Sequence, residues 1–194
     1  MKWVGVGVEG PSDKAFWDKI LHKEFKSREF LFDVRNMDHR EKLIRDTPKL
    51  YADFREAGYL AGFILVDRDS APCVTEVLNL FDATIRKAAK VQVSQRDLFV
   101  CVAIRELESW FLAESAAIRT VLNAVEYSAP PLTESPGGKA KLIQLIKQAR
   151  GPHAGYNEIS FAREIAKAFV PANARPHSNS FDYFWSKMEL ALAR

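Results

Sequence analysis

The sequence predicts an α/β fold: a Rossmann-like, mostly parallel four-stranded sheet flanked by helices, with a helical C-terminal extension. Short apolar runs rich in β-branched residues alternate with segments in which apolar residues recur at helical spacing. Strands that alternate with helices at this spacing indicate crossover connections and a parallel sheet covered on both faces. After residue 125 the pattern changes, and only helical segments follow a loop rich in Pro, Ser and Gly.

Each strand is predicted from a short apolar run. The predicted strands are residues 3–8 (WVGVGV), 30–36 (FLFDVRN), 60–66 (LAGFILV) and 97–104 (DLFVCVAI). The third run is the most hydrophobic, as expected for a central strand buried on both faces.

Helices are predicted between and after these strands from the spacing of apolar residues and from helix-start signals. They cover residues 11–25, 40–58, 72–89 and 105–122, and in the extension 139–149, 160–170 and 180–192. We expect the second helix to be broken or bent near Pro48 and to stop at Gly58. The resulting organisation is an α/β domain at 1–125 and a helical extension at 126–194 that packs on it.

Composition limits the class of protein without specifying its activity. The chain has 194 residues, of which 47% are hydrophobic and 27% charged, which is typical of a globular protein with a full core. A net charge of +3 permits a polyanionic partner but does not require one. The two cysteines, Cys73 and Cys101, form no zinc motif and are expected to be buried free thiols. With no signal peptide and no apolar stretch of roughly 20 residues, we expect a cytoplasmic protein without a membrane partner.

Acidic residues follow three of the four predicted strands. They are Glu9 after the first strand, Asp67 and Asp69 after the third, and Glu106 and Glu108 after the fourth. Ligands of open parallel sheets bind at the carboxyl ends of the strands, so these side chains are expected to meet at one edge. Carboxylates gathered without a cation would repel one another, whereas hard cations such as Mg²⁺ prefer oxygen ligands.

Each acid also has a purely structural explanation, and these alternatives remain open. Asp69 after a strand could be a helix N-cap, and Gly10 after Glu9 could serve only a tight turn. Asp13 could be an acid favoured by the helix dipole.

Glu106 and Glu108 cannot both face one point from a regular helix, because a two-residue step turns the helix by roughly 200°. We therefore favour Glu106 as the metal ligand. Glu108 is expected to reach the site only if the helix starts after it.

The motifs resemble those of a known family. The segment VEGPSDKAFW, followed some sixty residues later by VDRD, resembles the Toprim signature of a Glu-Gly pair after strand one and Asp-x-Asp after strand three. Asp13 is similar to the second acid of the version found in OLD-family nucleases. IRELESWFLAES, SPGGKAKLIQLI, GYNEISFAREIA and SNSFDYFW resemble, in that order, segments of a Toprim-like family of uncharacterised proteins, so the resemblance covers nearly the whole chain.

The resemblance implies Mg²⁺-dependent (or Mn²⁺-dependent) phosphodiester hydrolysis in DNA or RNA, in a setting such as prokaryotic defence or DNA repair. It assigns metal binding to Glu9, Asp67 and Asp69, with Asp13, Glu106 and Glu108 as further candidates. Glu9 could instead act as general acid or base. No ATPase domain accompanies the motifs, unlike in full OLD nucleases, so we expect any nucleotide-dependent control to come from an ATPase partner or to be absent.

Basic residues near these motifs are candidates for contacts to the substrate. Lys139, which opens a helix after SPGG, is the candidate for stabilising charge on the phosphate, with a solvent-exposed helix lysine as the alternative. Arg68, Lys141 and Arg150, together with Gly10, are the other substrate-binding candidates.

Two other functions fit the same residues. The chain could be a non-catalytic module that binds metal and nucleic acid or docks onto an ATPase. It could also be a phosphatase or nucleotidyl-transfer enzyme on small phosphate esters, because the same metal site suits any phosphate ester.

Overall fold

The computed structural model describes residues 1–25, 29–88, 97–123, 126–134 and 137–193. Its sheet is parallel, with strand order β2-β1-β3-β4. The strands are β1 (Lys2–Val8), β2 (Phe30–Asn36), β3 (Ala61–Asp67) and β4 (Leu98–Ala103). The predicted parallel four-stranded sheet flanked by helices is therefore confirmed.

The strand order places a topological switch point between β1 and β3. From β1 the chain moves to β2 at one side, then returns across β1 to build β3 and β4 at the other side. The register aligns the strand ends, with Asp67 of β3 opposite Ala103 of β4. The crevice at the carboxyl ends beside such a switch point is where parallel sheets bind ligands.

Helices cover both faces of the sheet. In the described residues they are α1 (Pro11–Phe25), α2 (Arg40–Glu56), α3 (Val74–Lys87), α4 (Leu107–Ala113), α5 (Ser115–Leu122), α6 (Gly138–Arg150), α7 (Glu158–Ala168), α8 (Pro171–Ala174) and α9 (Asn179–Leu192). α2 and α3 pack on one face through a smaller apolar cluster that includes Leu50, Phe54 and Phe81. α1 and the C-terminal helices build the larger core on the other face.

The C-terminal helices share this larger core with the sheet. Phe16 of α1 packs edge-on against Phe169, with ring centroids 5.1 Å apart, and Trp17 packs against Phe184 at 4.8 Å. All four side chains are almost completely buried. Aromatic side chains bury large areas, so these contacts attach the extension firmly to the α/β part.

Three local expectations are wrong in whole or in part. α2 is not broken at Pro48 but is one helix from Arg40 to Glu56, and Leu43, Leu50 and Phe54, on both sides of the proline, pack into one apolar cluster that stabilises it. Cys101 is buried as expected, but Cys73 is exposed, because it is the N-cap residue of α3.

The helix predicted at 105–122 is two helices that meet at Glu114. The Glu114 carboxylate is buried, accepts the Ala117 backbone N–H and accepts a hydrogen bond from Asn173 Nδ2 at 2.7 Å. A side chain that caps a new helix in this way competes with continuation of the previous one, so the chain turns there.

In the described ranges, no helix combines the length and the apolar character needed to cross a membrane.

Candidate functional site

A small polar cavity of about 130 Å³ opens at the carboxyl edge of the sheet. Its walls come from the start of α1, the ends of β3 and β4, α4, α6 and the start of α7. It is lined by Ser12, Asp13, Asp67, Asp69, Glu106, Leu107, Glu108, Phe111, Lys139, Tyr156 and Glu158. Most of these side chains are acidic, although they come from distant parts of the sequence.

Hydrogen bonds join the ends of β1, β3 and β4 at this edge. The Asp67 backbone N–H donates to Glu9 Oε1 at 2.7 Å, which connects β1 to β3 across the switch point. The backbone N–H groups of Arg68 and Asp69 donate to the carbonyls of Ala103 and Arg105, both at 2.9 Å. The loops that present the acids are therefore fixed to one another by backbone contacts.

Two residues of these loops adopt the left-handed backbone region. Asp69 has φ of 50° and Arg105 has φ of 79°. Aspartate tolerates this region, but for a long side chain such as arginine it is unfavourable and persists only where the surrounding structure imposes it. The Arg105 and Arg68 side chains each have a buried Nε without a hydrogen-bond partner among the described residues.

Asp13 both stabilises the start of α1 and lines the cavity. Its Oδ2 accepts the Gly10 backbone N–H at 3.0 Å. The Gly10 amide, a predicted substrate contact, is thus engaged by Asp13. The helix-start explanation for Asp13 and its place in the acidic cavity are compatible.

Glu106 and Glu108 line the same cavity even though α4 begins at Leu107. The expectation that Glu108 reaches the site only if the helix starts after it is wrong. Glu106 lies outside the helix, with extended backbone angles (φ −149°, ψ 155°), so the rotation per helical residue does not separate the two side chains.

Burial and mutual repulsion raise the pKa values of several of these acids. Loss of hydration raises the pKa of Glu9 to about 7 and that of Asp13 to about 6. Burial raises the pKa of Asp67 well above its usual value, and the charges of Asp13, Glu9 and Glu108 add to the shift. Without a cation, this edge of the sheet is therefore an unfavourable place for ionised carboxylates.

The C-terminal extension contributes a cation, a phenol and one more acid. Lys139 Nζ forms an ion pair with Glu158, and the Lys139 backbone N–H donates to Glu106 Oε2 at 2.7 Å. Tyr156 Oη donates to Glu108 Oε1 at 3.0 Å. The hydrogen bond to Glu158 is the main reason that the pKa of Lys139 is raised, so this lysine stays charged.

The structure brings together Asp13, Asp67, Asp69, Glu106, Glu108 and Lys139 around the cavity, with Glu9 bonded to the Asp67 backbone. Lys141 instead lines a different, larger cavity of about 530 Å³. Arg150 bonds to the Val121 carbonyl and to Glu164, and is not among the residues that line the acidic cavity.

Two charged residues at the site were not predicted from the sequence. Glu158 begins α7 and has the pattern of an ordinary acid in a first helical turn. Arg40 begins α2, and its Nη1 lies 3.4 Å from both Asp69 Oδ2 and the Arg68 carbonyl. Glu158 lies in the GYNEISFAREIA segment, but the resemblance assigns it no role, and Arg40 lies outside the segments that carry the resemblance.

The donor chemistry of the cavity suits a hard divalent cation, because carboxylate oxygens are the ligands that Mg²⁺ prefers. The raised pKa values of Glu9, Asp13 and Asp67 fit the same conclusion, since a bound cation would offset the cost of ionising them. As the side chains stand in the described ranges, however, no three Asp, Glu, His or Cys groups form a complete metal site. Side chains would have to converge further on an ion.

Comparisons with known proteins give a family and one structural likeness. A family model described as a domain of unknown function, DUF4276, matches residues 8–189. A comparison with curated proteins finds no match. Among solved structures, the chain is similar to the C-terminal region of the Xanthomonas campestris pv. campestris OLD protein, with 18% identity, 96% of this chain and 97% of that chain covered, and a TM-score of 0.43.

Proposed function

The chain belongs to the DUF4276 family, and we propose that it is a Mg²⁺- or Mn²⁺-dependent nuclease of Toprim type that hydrolyses phosphodiester bonds in DNA or RNA. One observation supports the proposal above all others. Carboxylates that follow β1, β3 and β4 lie at one edge of a parallel sheet, beside the switch point between β1 and β3. Independent helix caps or surface ion pairs would not require acids from three strands to meet at one edge of the sheet.

In this proposal Asp67, Asp69 and Glu9 hold a first cation, and Asp13, Glu106 and Glu108 extend the site to a second position. When bound, the cation neutralises the acids, polarises the phosphate and activates water.

Glu9 has a second possible role as general acid or base. Its pKa of about 7 lies near neutral pH, where proton transfer by a positioned group is most effective.

The basic side chains at and near the site favour a negatively charged substrate. Lys139 lies in the cavity wall, where it can meet the charge that develops on a phosphate. Arg40 lies at the exposed side of the site next to Asp69. Lys141 and Lys147 are exposed on α6, the helix that begins at the cavity, and could contact the backbone of a nucleic acid.

The volume of the cavity favours a second candidate, a hydrolase of small phosphate esters. A space of about 130 Å³ accommodates a phosphate group and its ion but not a nucleotide. A nucleic acid would have to lie across the opening, whereas a small phosphate monoester could enter with its phosphate alone.

The test is hydrolysis with defined substrates and one isosteric variant. Purified protein is incubated with supercoiled plasmid, linear duplex DNA, single-stranded DNA, RNA and p-nitrophenyl phosphate, each with Mg²⁺, Mn²⁺ or EDTA. We expect cleavage of nucleic acid with either metal, none with EDTA, and loss of activity to background in Asp67→Asn. Asp82→Asn, which alters an exposed aspartate of α3, is the matched control and should retain full activity.

Other results of this assay would favour one of the alternative functions over the nuclease. Hydrolysis of p-nitrophenyl phosphate alone would replace the nuclease with the small-ester enzyme. Binding of nucleic acid without cleavage under any metal condition would favour a non-catalytic module or a subunit that needs an ATPase partner. Equal activity in Asp67→Asn and the unmodified protein would rule out the acidic cavity as the site.

A further inference from the structure

Tyr156 lines the cavity, and its hydroxyl is bonded to Glu108, a buried acid of the site. It comes from the segment before α7, in the C-terminal extension. Its partner Glu108 belongs to α4, which directly follows the sheet. The Tyr156–Glu108 hydrogen bond therefore links the extension to the strand-end acids.

The ring of Tyr156 is held in place independently of that hydrogen bond. It packs edge-on against Phe161, with centroids 5.8 Å apart, and Phe161 contacts Phe111 of α4 at 6.3 Å. Next to Tyr156, Asn157 caps α7 by accepting the Ser160 backbone N–H at 2.9 Å. A phenol supported in this way can direct a partner, because its own position does not depend on that partner.

The Glu108 carboxylate requires a hydrogen-bond partner that fixes its orientation. It is 8% exposed, and its charge and that of Asp67 repel each other in the shared cavity. The last torsion of a glutamate is soft, so repulsion from neighbouring carboxylates would rotate the group away from them. The hydrogen bond from Tyr156 engages one carboxylate oxygen, Oε1, and restricts that rotation.

We propose that Tyr156 is a positioning residue that holds the Glu108 carboxylate at the cavity, so that Glu108 can serve as a ligand of the bound cation. This inference rests on the proposed metal-dependent function and deepens it. It also gives the C-terminal extension a direct part in metal binding. Groups that orient a metal ligand typically change metal affinity by about 10–100-fold when they are removed.

The test is a double-mutant cycle on Mn²⁺ affinity, with no nucleic acid present. Mn²⁺ is titrated by calorimetry into the unmodified protein, Tyr156→Phe, Glu108→Gln and the double variant. We expect Tyr156→Phe to raise the Kd for Mn²⁺ about 10–100-fold in the unmodified background, and less than about threefold once Glu108 is replaced. Tyr183→Phe changes a tyrosine of α9 that is 52% exposed, and is the control expected to leave the Kd unchanged.

Thermal unfolding of each metal-free variant shows whether the fold is retained. An effect of Tyr156→Phe that is the same size in both backgrounds, or no effect at all, overturns the positioning role. These outcomes are separate from those of the proposed function. A protein that shows the expected coupling but cuts no nucleic acid contradicts the nuclease and leaves the inference standing. A protein that cuts with metal while Tyr156→Phe binds Mn²⁺ normally contradicts the inference alone, and one that binds no Mn²⁺ contradicts both.

Discussion

The acidic cavity has two walls that differ in composition and in how they are held. The strand-end wall comprises the acids that follow the strands. Asp67, Asp69, Glu106 and Glu108 line the cavity, and Glu9 lies beside them and accepts a hydrogen bond from the Asp67 backbone. The extension wall comprises Lys139 of α6, Glu158 of α7 and Tyr156 of the segment that precedes α7.

The difference suggests a division of roles. Hydrogen bonds of the loop backbones hold the strand-end wall, so its acidic side chains are gathered in one place whether or not a cation is present. The extension wall contacts the strand-end wall through the Tyr156 hydroxyl, bonded to Glu108, and the Lys139 backbone N–H, bonded to Glu106, while the Lys139 side chain pairs with Glu158. We infer that the first wall creates the affinity for a cation and that the second wall directs individual groups around it.

The comparison of the two walls predicts its largest effect for the replacement of Lys139. Lys139→Met should lower kcat by roughly 10²–10³-fold, as is typical when a group that stabilises transition-state charge is lost. Mn²⁺ affinity should stay the same or increase, because the change removes a positive charge from an acidic cavity. Steady-state kinetics and calorimetry measure the two quantities.

Lys167→Met is the matched control for this prediction. It removes a lysine of the same extension, but Lys167 is exposed on α7 and is not among the residues that line the acidic cavity. Equal losses of kcat in both variants, or weaker metal binding in Lys139→Met, would contradict the assignment of Lys139 to the phosphate.

An intermediate effect on stability is expected at Gly138, where α6 packs directly against Ser109 of α4. A side-chain carbon added at Gly138 would lie 2.5 Å from Ser109 Oγ and 2.9 Å from the Ser109 backbone nitrogen. Gly138→Ala should therefore push α6 away from α4 and lower stability by about 1–3 kcal/mol. It should also lower metal-dependent activity, since it moves the Lys139 backbone N–H from Glu106.

Gly155→Ala offers a comparison within the same extension, because nothing lies within 4 Å of the added carbon. Denaturant unfolding of both variants measures the difference. Comparable unfolding midpoints would show that the contact between α4 and α6 adjusts freely, and the two walls would then be less tightly coupled than the structure indicates.

The smallest expected effect is the pH dependence of the metal-free protein. Carboxyl groups whose pKa is raised on folding stabilise the protein below their unfolded pKa, and this contribution is lost as pH rises through the folded pKa. For Glu9 the pKa rises from 4.5 to about 7, and for Asp13 from 3.8 to about 6. We therefore expect the Tm without metal to fall by several degrees between pH 5 and pH 8.

Added Mn²⁺ should recover this loss at pH 8 and have little effect at pH 5, because protons and the cation compete for the same carboxylates. Asp67→Asn supplies the control, since it removes one of the repelling charges and should raise the metal-free Tm at pH 8. A metal-free Tm that rises steadily from pH 5 to pH 8 would contradict the repulsion on which the strand-end wall depends.

Most of the strand-end wall could be predicted from the sequence, since strand ends are local features of the chain. An apolar run that closes in Asp67 and Asp69 places them at the carboxyl edge of any parallel sheet, and Glu9 follows β1 in the same way. Lys139 was recognised only as a candidate. Glu158 and Arg40 were not recognised, because each looks like an ordinary charged residue at a helix start.

The sequence by itself determined the sheet, most of its helices and the acids at its edge, since hydrophobic periodicity and strand ends depend on neighbours along the chain. Only the tertiary structure decided that α4 begins between Glu106 and Glu108, that Tyr156 bonds to Glu108 and that Glu158 pairs with Lys139. The two contacts join residues that are 48 and 19 positions apart, and the start of α4 decides where Glu106 and Glu108 point. They depend on how whole elements pack, and no local pattern encodes that.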